Sequence, residues 1–345
     1  MRSLAEEEWD VRWNVKSATK RDITGSMWLG PVFALGPAAR GMIANAVFAL
    51  AVFTLTGLAS TARAQDIEPR AYSNAPVGIN FLIAGYVYTR GGLSFDTSVP
   101  ITNAHLTTSN VVLAYARVLD LRGKSGKFDV IVPVTRLSGS ANYQGVLVER
   151  TVSGLGRPAL RLSINLFGSP ALRVQEFAGW QQDLIVGASL QVSPPWGQYD
   201  PDRVVNITAN RWSFKPEVGI SKALGPWTLE VQAAATFFTD NNEFLGATTR
   251  SQDPIYSLQG HVVHGFRSGK WISVDGTYFA GGRSTIDDAL NNDLQQNWRV
   301  GATLAVPLDR LNSIKFAASS GVSARTGNHY DGIGVAWQHR WGAGL

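Results

Sequence analysis

The sequence predicts an all-β protein, a transmembrane antiparallel up-and-down β-barrel of about 12 strands. Three observations predict this fold. From residue 79 onward, segments alternate apolar residues with small or polar residues, which is the period of a strand with two different faces. The links between the segments alternate between short and long. Aromatic residues cluster at segment ends, as they do at membrane interfaces.

The segments have the length and pattern of strands that cross a membrane. In the clearest one, 227–237, Trp227 and Val231 point one way while Glu230 and Gln232 point the other. A soluble β-sandwich also alternates, but its strands average about 5–6 residues, whereas a tilted transmembrane strand needs about 9–11. The predicted strands are 79–88, 107–118, 128–136, 160–166, 184–192, 211–221, 227–237, 255–266, 271–280, 298–306, 314–322 and 333–341.

The links between the predicted strands alternate in length, with one exception at 167–183. Outer-membrane barrels place short turns on the periplasmic side and long loops outside. An even strand count then leaves both termini periplasmic. The short links are Arg122–Gly126, Leu224–Pro226, Arg267–Lys270 and Asp309–Asn312, and the long links are 90–105, 138–153, 194–210, 239–254 and 282–297.

Composition excludes several classes of protein. The 345 residues include no cysteine, so disulfides, cysteine zinc sites and a cysteine nucleophile are excluded. A mean hydropathy of -0.02 is too polar for a multi-helix membrane protein but suits a barrel, where every second strand residue faces lipid. The net charge is +5 without a Lys/Arg-rich run, so no nucleic-acid partner is expected. We also expect no cofactor and no metal site.

The N-terminus is predicted to be a signal for export. Arg40 precedes the apolar stretch 42–58, and Ala62-Arg63-Ala64 has the small-residue pattern of a cleavage site. A membrane anchor helix is the alternative, although such a helix needs about 20 residues. We therefore exclude 1–64, which precedes the predicted cleavage after Ala64, from the fold. The remaining divisions are 65–78 as a lumenal plug or disordered leader, 79–341 as the barrel and 342–345 as a tail.

Alternation predicts which side chains face the barrel interior. These polar residues could form a constriction that selects solutes, or a structural network of opposite charges. The loop after the 184–192 segment also presents Trp196 and Tyr199 on a rigid Pro-Pro pair, where they could stack on an apolar ligand or only pack the loop. The lumen-lining candidates are Arg161, Lys215, Glu217, Glu230, Gln232, Asp275, Arg299, Lys315 and Arg340, and the membrane-girdle candidates are Trp212, Trp227, Trp271, Trp298, Trp337 and Trp341.

Motifs for catalysis are lacking. His261 and His264 are three residues apart on one predicted strand, so they face opposite sides. The sequence contains no H-E-x-x-H or G-x-S-x-G motif. We therefore expect no catalytic residues and no enzyme, with a lipid-modifying barrel as the alternative.

One stretch of the chain resembles a known family. Val192-Ser193-Pro194-Pro195-Trp196-Gly197-Gln198-Tyr199-Asp200-Pro201-Asp202-Arg203 runs on to Asn210-Arg211-Trp212-Ser213-Phe214-Lys215-Pro216-Glu217, and Trp337-Gln338-His339-Arg340-Trp341 closes the last strand. These motifs resemble the MetA-pathway of phenol degradation family of outer-membrane proteins. Gly154-Leu155-Gly156-Arg157-Pro158 is similar to a family turn in which Asp stands at the position of Arg157.

The resemblance implies a function for the barrel. The family is associated with passage of aromatic or other hydrophobic compounds, and it is distantly similar to long-chain fatty-acid and toluene transporters. We therefore expect a Gram-negative outer-membrane channel for passive movement of such solutes. A structural or adhesive barrel with an occluded lumen is the alternative. The expected partners are outer-membrane lipid, the barrel-assembly machinery and small hydrophobic solutes.

Overall fold

The computed structural model describes residues 67–94, 101–143, 146–203, 205–325 and 327–344. The predicted signal peptide and its cleavage site lie outside the described residues. Within them the chain forms antiparallel strands and one short helix, α1, at Val174–Phe177. Strands β1 to β17 are, in order, Ile79–Ser94, Ile101–Leu121, Lys124–Tyr143, Val146–Leu155, Ala159–Phe167, Leu184–Ser193, Ser213–Leu224, Trp227–Phe238, Asn241–Phe244, Thr248–Gln252, Ile255–Gly265, Trp271–Gly281, Ser284–Ile286, Ala289–Leu290, Gln295–Pro307, Asn312–Ala324 and Gly327–Gly342.

Twelve of these strands form one closed antiparallel ring. The ring runs β1, β2, β3, β5, β6, β7, β8, β11, β12, β15, β16 and β17, and β17 pairs with β1 to close it. The closing pair extends from Ile79 opposite Gly342 to Ser94 opposite Gly327. Each predicted strand overlaps one ring strand, so the predicted fold class, an up-and-down barrel of 12 strands, is confirmed.

Two predicted loops are instead extensions of the barrel wall. β3 pairs with β5 along 126–131 and with β4 along 134–143, so the predicted link 138–153 is a hairpin that continues the wall. β1 and β2 likewise remain paired as far as Gly92 and His105, inside the predicted link 90–105. Sequence alternation marks only the part of a strand whose two faces meet different media, so it misses strand that continues into water.

The two faces of the ring differ as predicted from the alternation. On β8, Val231 is 52% exposed while its neighbours Glu230 and Gln232 are buried. The exposed face carries apolar side chains around the whole barrel, and we call the opposite face the lumenal face. Because the bilayer core supplies no water, a sheet can cross it only with apolar outer side chains and every backbone group paired.

Tight turns connect the strands at one end of the ring. Arg122 and Gly123 have φ values of 57° and 82° between β2 and β3, which is the left-handed geometry of a two-residue hairpin turn. Asp120 Oδ1 accepts a hydrogen bond of 2.6 Å from the Gly123 N–H. We assign this end to the periplasm because short turns and both chain ends of the barrel occur there.

The long links at the other end contain structure of their own. The predicted links 239–254 and 282–297 form a four-stranded sheet in the order β14, β13, β10, β9, which we call the outer sheet. The exceptional link 167–183, at the periplasmic end, contains α1. Among the described residues, no helix is long and apolar enough to span a membrane.

A charge on the lipid face should destabilise the barrel. Val231→Arg places a cation near the middle of β8 on the exposed face, and such a cation costs about 2–4 kcal/mol near the bilayer midplane. Guanidinium unfolding in phospholipid vesicles measures the loss. Leu290→Arg is the matched control, because Leu290 is exposed in the outer sheet, where a surface change costs within about 0.5 kcal/mol. Equal losses in the two variants would contradict the assigned lipid face.

Candidate functional site

The predicted lumen-lining residues all lie on the lumenal face, but they differ in burial. Glu217, Glu230, Gln232, Asp275 and Arg299 are buried. Arg161, Lys215 and Lys315 are half-buried, and Arg340 is exposed at the periplasmic end. A charged side chain in a narrow barrel interior requires a partner, because burial of an unpaired charge costs several kcal/mol. The partners identify what the site is built around.

Many of these partners come from residues 67–78, which we call the inner segment. Arg161 donates from Nη2 to Glu68 Oε1 at 2.7 Å and from Nε to Asp129 Oδ2 at 2.8 Å. Arg161 Nη1 is also ion-paired with Glu68. One guanidinium therefore joins the inner segment to β3 through two carboxylates, a planar arrangement that suits arginine and not lysine.

Further contacts hold the inner segment along the lumenal face. The Arg70 backbone N–H donates to Glu230 Oε2 at 2.6 Å, and Glu230 Oε1 accepts from Ser221 at 2.9 Å. Gln232 Nε2 donates to the Glu68 carbonyl at 3.3 Å, and Lys127 Nζ donates to the Ala71 carbonyl at 2.5 Å. The residues that bind the segment here come from β3 and β8, so the segment contacts more than one strand of the wall.

Tyr72 occupies a slot made by two glycines. Gly187 on β6 and Gly219 on β7 lie directly opposite each other, and a Cβ atom added to either would overlap the Tyr72 ring. The Tyr72 hydroxyl donates to Glu217 Oε1 at 3.1 Å, and Lys215 Nζ lies 3.2 Å from Glu217 Oε2. The missing side chains therefore create a binding site for this ring.

The inner segment leaves the lumen at the periplasmic end. The Val77 N–H donates to the Leu172 carbonyl at 2.8 Å, and the Gly78 N–H donates to the Val118 carbonyl at 3.0 Å. β1 begins at the next residue, Ile79. The segment thus enters the barrel from the short-turn side and lies inside the half of the lumen nearest the periplasm.

Trp271 corrects one sequence prediction. It was predicted in the membrane girdle, but it shares the lumenal face of β12 with Ser273 and Asp275. The Arg70 guanidinium carbon lies 5.5 Å from its ring centroid and Lys315 Nζ lies 5.7 Å away. The ring contributes cation–π attraction to these two charges. The other five girdle candidates, which are exposed large aromatic side chains, are Trp212, Trp227, Trp298, Trp337 and Trp341.

The two loop candidates have different surroundings. Trp196 is 61% exposed in the link between β6 and β7. The Tyr199 hydroxyl donates to the Glu243 carbonyl at 3.0 Å and accepts from Asn241 Nδ2 at 2.7 Å. Tyr199 therefore fixes this link to the outer sheet, while Trp196 stands free to contact a solute.

Other lumenal charges are held within the wall. The Arg299 guanidinium carbon lies 3.2 Å from the Tyr330 ring centroid, and the same side chain donates to the Tyr330 carbonyl and to Ser319 Oγ. Asp275 Oδ1 lies 2.7 Å from His261 Nδ1, and Asp275 Oδ2 accepts from Ser273 at 3.1 Å. These two groups are structural networks that do not involve the inner segment.

Sequence reasoning missed several residues of this site. Glu68 and Tyr72 lie before the first strand, where no periodicity assigns a face to a residue. Asp129 lies in the predicted strand 128–136 and Lys127 directly before it, but neither was singled out. The signal that was available is the pair of glycines, Gly187 and Gly219, because two lumenal glycines on neighbouring strands leave room for a ring.

A closed sheet with an apolar exterior and a charged interior defines the class of this protein, a transmembrane β-barrel of the Gram-negative outer membrane. The chain belongs to the family described as Putative MetA-pathway of phenol degradation, whose model matches residues 38–338. This match confirms the resemblance seen in the sequence. No curated protein matches the chain.

Several solved structures are similar to this chain. The COG4313 outer membrane channel from Pseudomonas putida F1 is 19% identical with a TM-score of 0.68, covering 80% of this chain and 100% of that one. The transport unit of the autotransporter AIDA-I from Escherichia coli is 9% identical with a TM-score of 0.50, covering 80% and 93%. The toluene transporter TodX from Pseudomonas putida is 12% identical with a TM-score of 0.43, covering 83% and 96%.

A methyl group in the tyrosine slot should displace the inner segment. Gly219→Ala overlaps the Tyr72 ring, and Ala71 beside it is only 7% exposed. Since the chain has no cysteine, an Ala71→Cys reporter measures exposure through its rate of maleimide labelling. We expect labelling to be faster by at least about tenfold, since overpacking costs roughly 1–3 kcal/mol.

Two further variants control this experiment. Gly276→Ala adds a methyl group where no atom lies within 4 Å, so the labelling rate should not change. Tyr72→Ala combined with Gly219→Ala removes the clash and also the ring that holds the segment, so labelling should remain fast. Slow labelling in the Gly219→Ala variant would show that the slot does not hold Tyr72.

Proposed function

We propose that this protein is a passive outer-membrane channel for small hydrophobic or aromatic compounds. The observation that carries the proposal is how the inner segment is attached. Each hydrogen bond from residues 68–72 to the wall uses at least one side chain, and none is a strand pairing. The segment can therefore leave the lumen without breaking any strand pair of the barrel.

The solute class is supported by kinship and by the chemistry of the chain. The family description names phenol degradation, and the Pseudomonas putida F1 structure of the same fold is by name an outer membrane channel. The exposed Trp196 offers a ring on which an aromatic solute can stack at the outer end. No nucleotide-binding motif occurs in the sequence, so a concentration gradient is the driving force we propose.

In this proposal the inner segment is a displaceable plug. Arg161, Glu217, Glu230 and Gln232, predicted as lumen-lining residues, bind the segment and thereby keep the channel closed. The charges of the wall would then serve two states, pairing with the plug when it is bound and facing water or solute when it leaves. Mutually paired charges such as Lys215 and Glu217 reduce the cost of the open state.

An occluded structural or adhesive barrel is the second candidate. The specific observation in its favour is that the plug is held by several buried contacts on different strands. If the segment never leaves, the lumen carries no solute and the outer sheet would be the functional surface. The two candidates differ in whether weakening the plug opens a conducting path.

We propose that the barrel has no enzymatic role. The His261–Asp275 pair would be a candidate base, but Ser273 donates to Asp275 and not to the imidazole. Within the described residues His261 Nε2 has no hydrogen-bond partner, so no nucleophile among them is hydrogen-bonded to this ring atom. We further propose that the barrel-assembly machinery recognises the last strand, β17, which contains Trp337 and Trp341.

Loss of the arginine that holds the plug should raise conductance. In Arg161→Gln the pair with Glu68 is lost while Asp129 remains buried, so the plug is released more often. Planar-bilayer recordings should show a larger open probability, by about tenfold for a loss near 1.4 kcal/mol. Lys222→Gln is the matched control, because its pair with Asp183 is exposed and lies outside the lumen. Silence in both variants would support the occluded barrel.

Passive flux should follow the same order as conductance. Cells that lack the protein should take up labelled phenol more slowly than cells that express it, and Arg161→Gln cells should take it up faster. An uncoupler should leave the rates unchanged, because no energy source is proposed. Equal uptake with and without the protein would overturn the transport role.

A further inference from the structure

Two arginines meet at the outer end of the lumen, opposite the inner segment. Arg211 precedes β7, and its Nη2 donates to Gln252 Oε1 on β10. Arg250 lies two residues before Gln252 on the same strand, so both side chains are on one face. Asn210 Nδ2 also lies 3.4 Å from Asn241 Oδ1, and Asn241 pairs with Arg250 in the sheet.

Both guanidinium groups lie against aromatic rings. The Arg211 guanidinium carbon is 4.3 Å from the Phe238 ring centroid, and the Arg250 carbon is 5.2 Å from that of Phe244. Stacking uses the flat face of a guanidinium group, whereas its N–H donors point outward in its plane. The rings therefore fix the two arginines without using their N–H donors.

Several of these donors have no acceptor. Among the described residues, Arg211 Nε, Arg211 Nη1 and Arg250 Nε are buried and lack a hydrogen-bond partner. Buried polar groups are normally paired, and an unpaired donor of a charged group is costly. Donors left open on two adjacent cations indicate a site for an anion.

Two carboxylates, those of Asp293 and Asp240, offset part of the positive charge of this pair. Asp293 Oδ2 lies 4.0 Å from Arg250 Nη2, and the Asp293 oxygens accept from the Ser284 N–H at 2.8 Å and the Ser284 hydroxyl at 2.6 Å. Burial, together with the neighbouring charges of Arg250 and Arg157, lowers the pKa of Arg211 to about 9, against the opposite effect of Asp240. Burial also lowers the pKa of Arg250, against the opposite effect of Asp293.

The site faces the lumen and not the lipid. Arg211 has the same parity as the buried Ser213 and Glu217 of β7, and Phe238 has the same parity as the buried Gln232 of β8. A solute that enters from outside therefore meets the pair before it reaches the inner segment. Phosphate groups of the outer-leaflet lipid lie on the other side of the wall.

We propose that Arg211 and Arg250 form a binding site for the carboxylate of a small aromatic acid. The two planar forks match a planar carboxylate, and the half-buried Phe238 provides apolar surface for the attached ring. This site adds an anionic aromatic class of solute to the proposed function. Its role in permeation rests on that proposed function, whereas its binding of the carboxylate does not.

Equilibrium binding to the full-length mature protein, refolded in detergent, tests the site without requiring conductance. Calorimetry with benzoate should show saturable binding, while benzyl alcohol, which has no charge, should show none. Arg211→Gln should weaken benzoate binding by at least about tenfold, the scale of a hydrogen bond to a charged group. Arg211→Lys keeps the charge without the planar fork, so its affinity for benzoate should lie between those of wild type and Arg211→Gln.

Control variants make the result decisive. Arg203→Gln removes one positive charge from the same link, but its side chain is 63% exposed, so benzoate affinity should be unchanged. Inorganic phosphate that binds as tightly as benzoate would replace the aromatic acid with a general anion and overturn the proposed class. The site would be overturned if Arg211→Gln and wild type bound benzoate with equal affinity while both proteins kept the heat-modifiable gel mobility of a folded barrel.

Conductance separates this inference from the proposed function. Block of single-channel current by benzoate, lost in Arg211→Gln, is the result expected if both hold. Benzoate binding in detergent without any channel current would leave the site standing and remove the transport role. Current without benzoate binding would remove the site and leave the channel.

Discussion

The closing pair between β1 and β17 is the constraint on which the rest of the structure depends. Within a bilayer an unpaired backbone N–H or C=O costs several kcal/mol, because no water can replace the missing partner. The chain must therefore join its first and last strands. This closure creates an enclosed interior, fixes the apolar side chains outside, and places every second strand residue in a space too narrow to hold unpaired charges.

Residues of the inner segment, which is not part of the strand ring, supply partners for charged side chains of the lumenal face. Arg161 would be a half-buried cation beside one carboxylate of β3, but Glu68 of the inner segment supplies a second. Tyr72 completes the packing where Gly187 and Gly219 leave a gap. The same contacts that stabilise the folded barrel thus occupy its periplasmic half, so stability and closure of the lumen are linked. Any opening must exchange these contacts for water or solute.

The two ends of the lumen are built on different principles. The periplasmic half pairs each described charge of the inner segment with an opposite charge or an aromatic ring, which favours a closed and satisfied state. At the outer end, Arg211 and Arg250 stack on the rings of Phe238 and Phe244, and several of their guanidinium nitrogens have no hydrogen-bond partner among the described residues. A solute entering from outside would therefore first meet the unpaired guanidinium donors, which can bind it. It would then meet the paired charges around the inner segment, where further passage requires displacement of that segment.

The sequence alone determined the ring strands, the faces of most of them and the class of protein, because a membrane-spanning strand must alternate in every barrel, whatever its neighbours are; the faces of 79–88 and 107–118 stayed ambiguous in the sequence. It placed Glu217, Glu230 and Arg161 in the interior for the same reason. Only the tertiary structure decided what those residues contact, since Glu68 and Tyr72 reach them across more than ninety positions of the chain and carry no periodic signal. The face of Trp271 follows from alternation alone, because Trp271 has the same parity as Asp275 on β12. The tertiary structure also brought Arg211 beside Arg250, because backbone pairing around the closed ring fixes which residues of different strands lie at one level of the barrel.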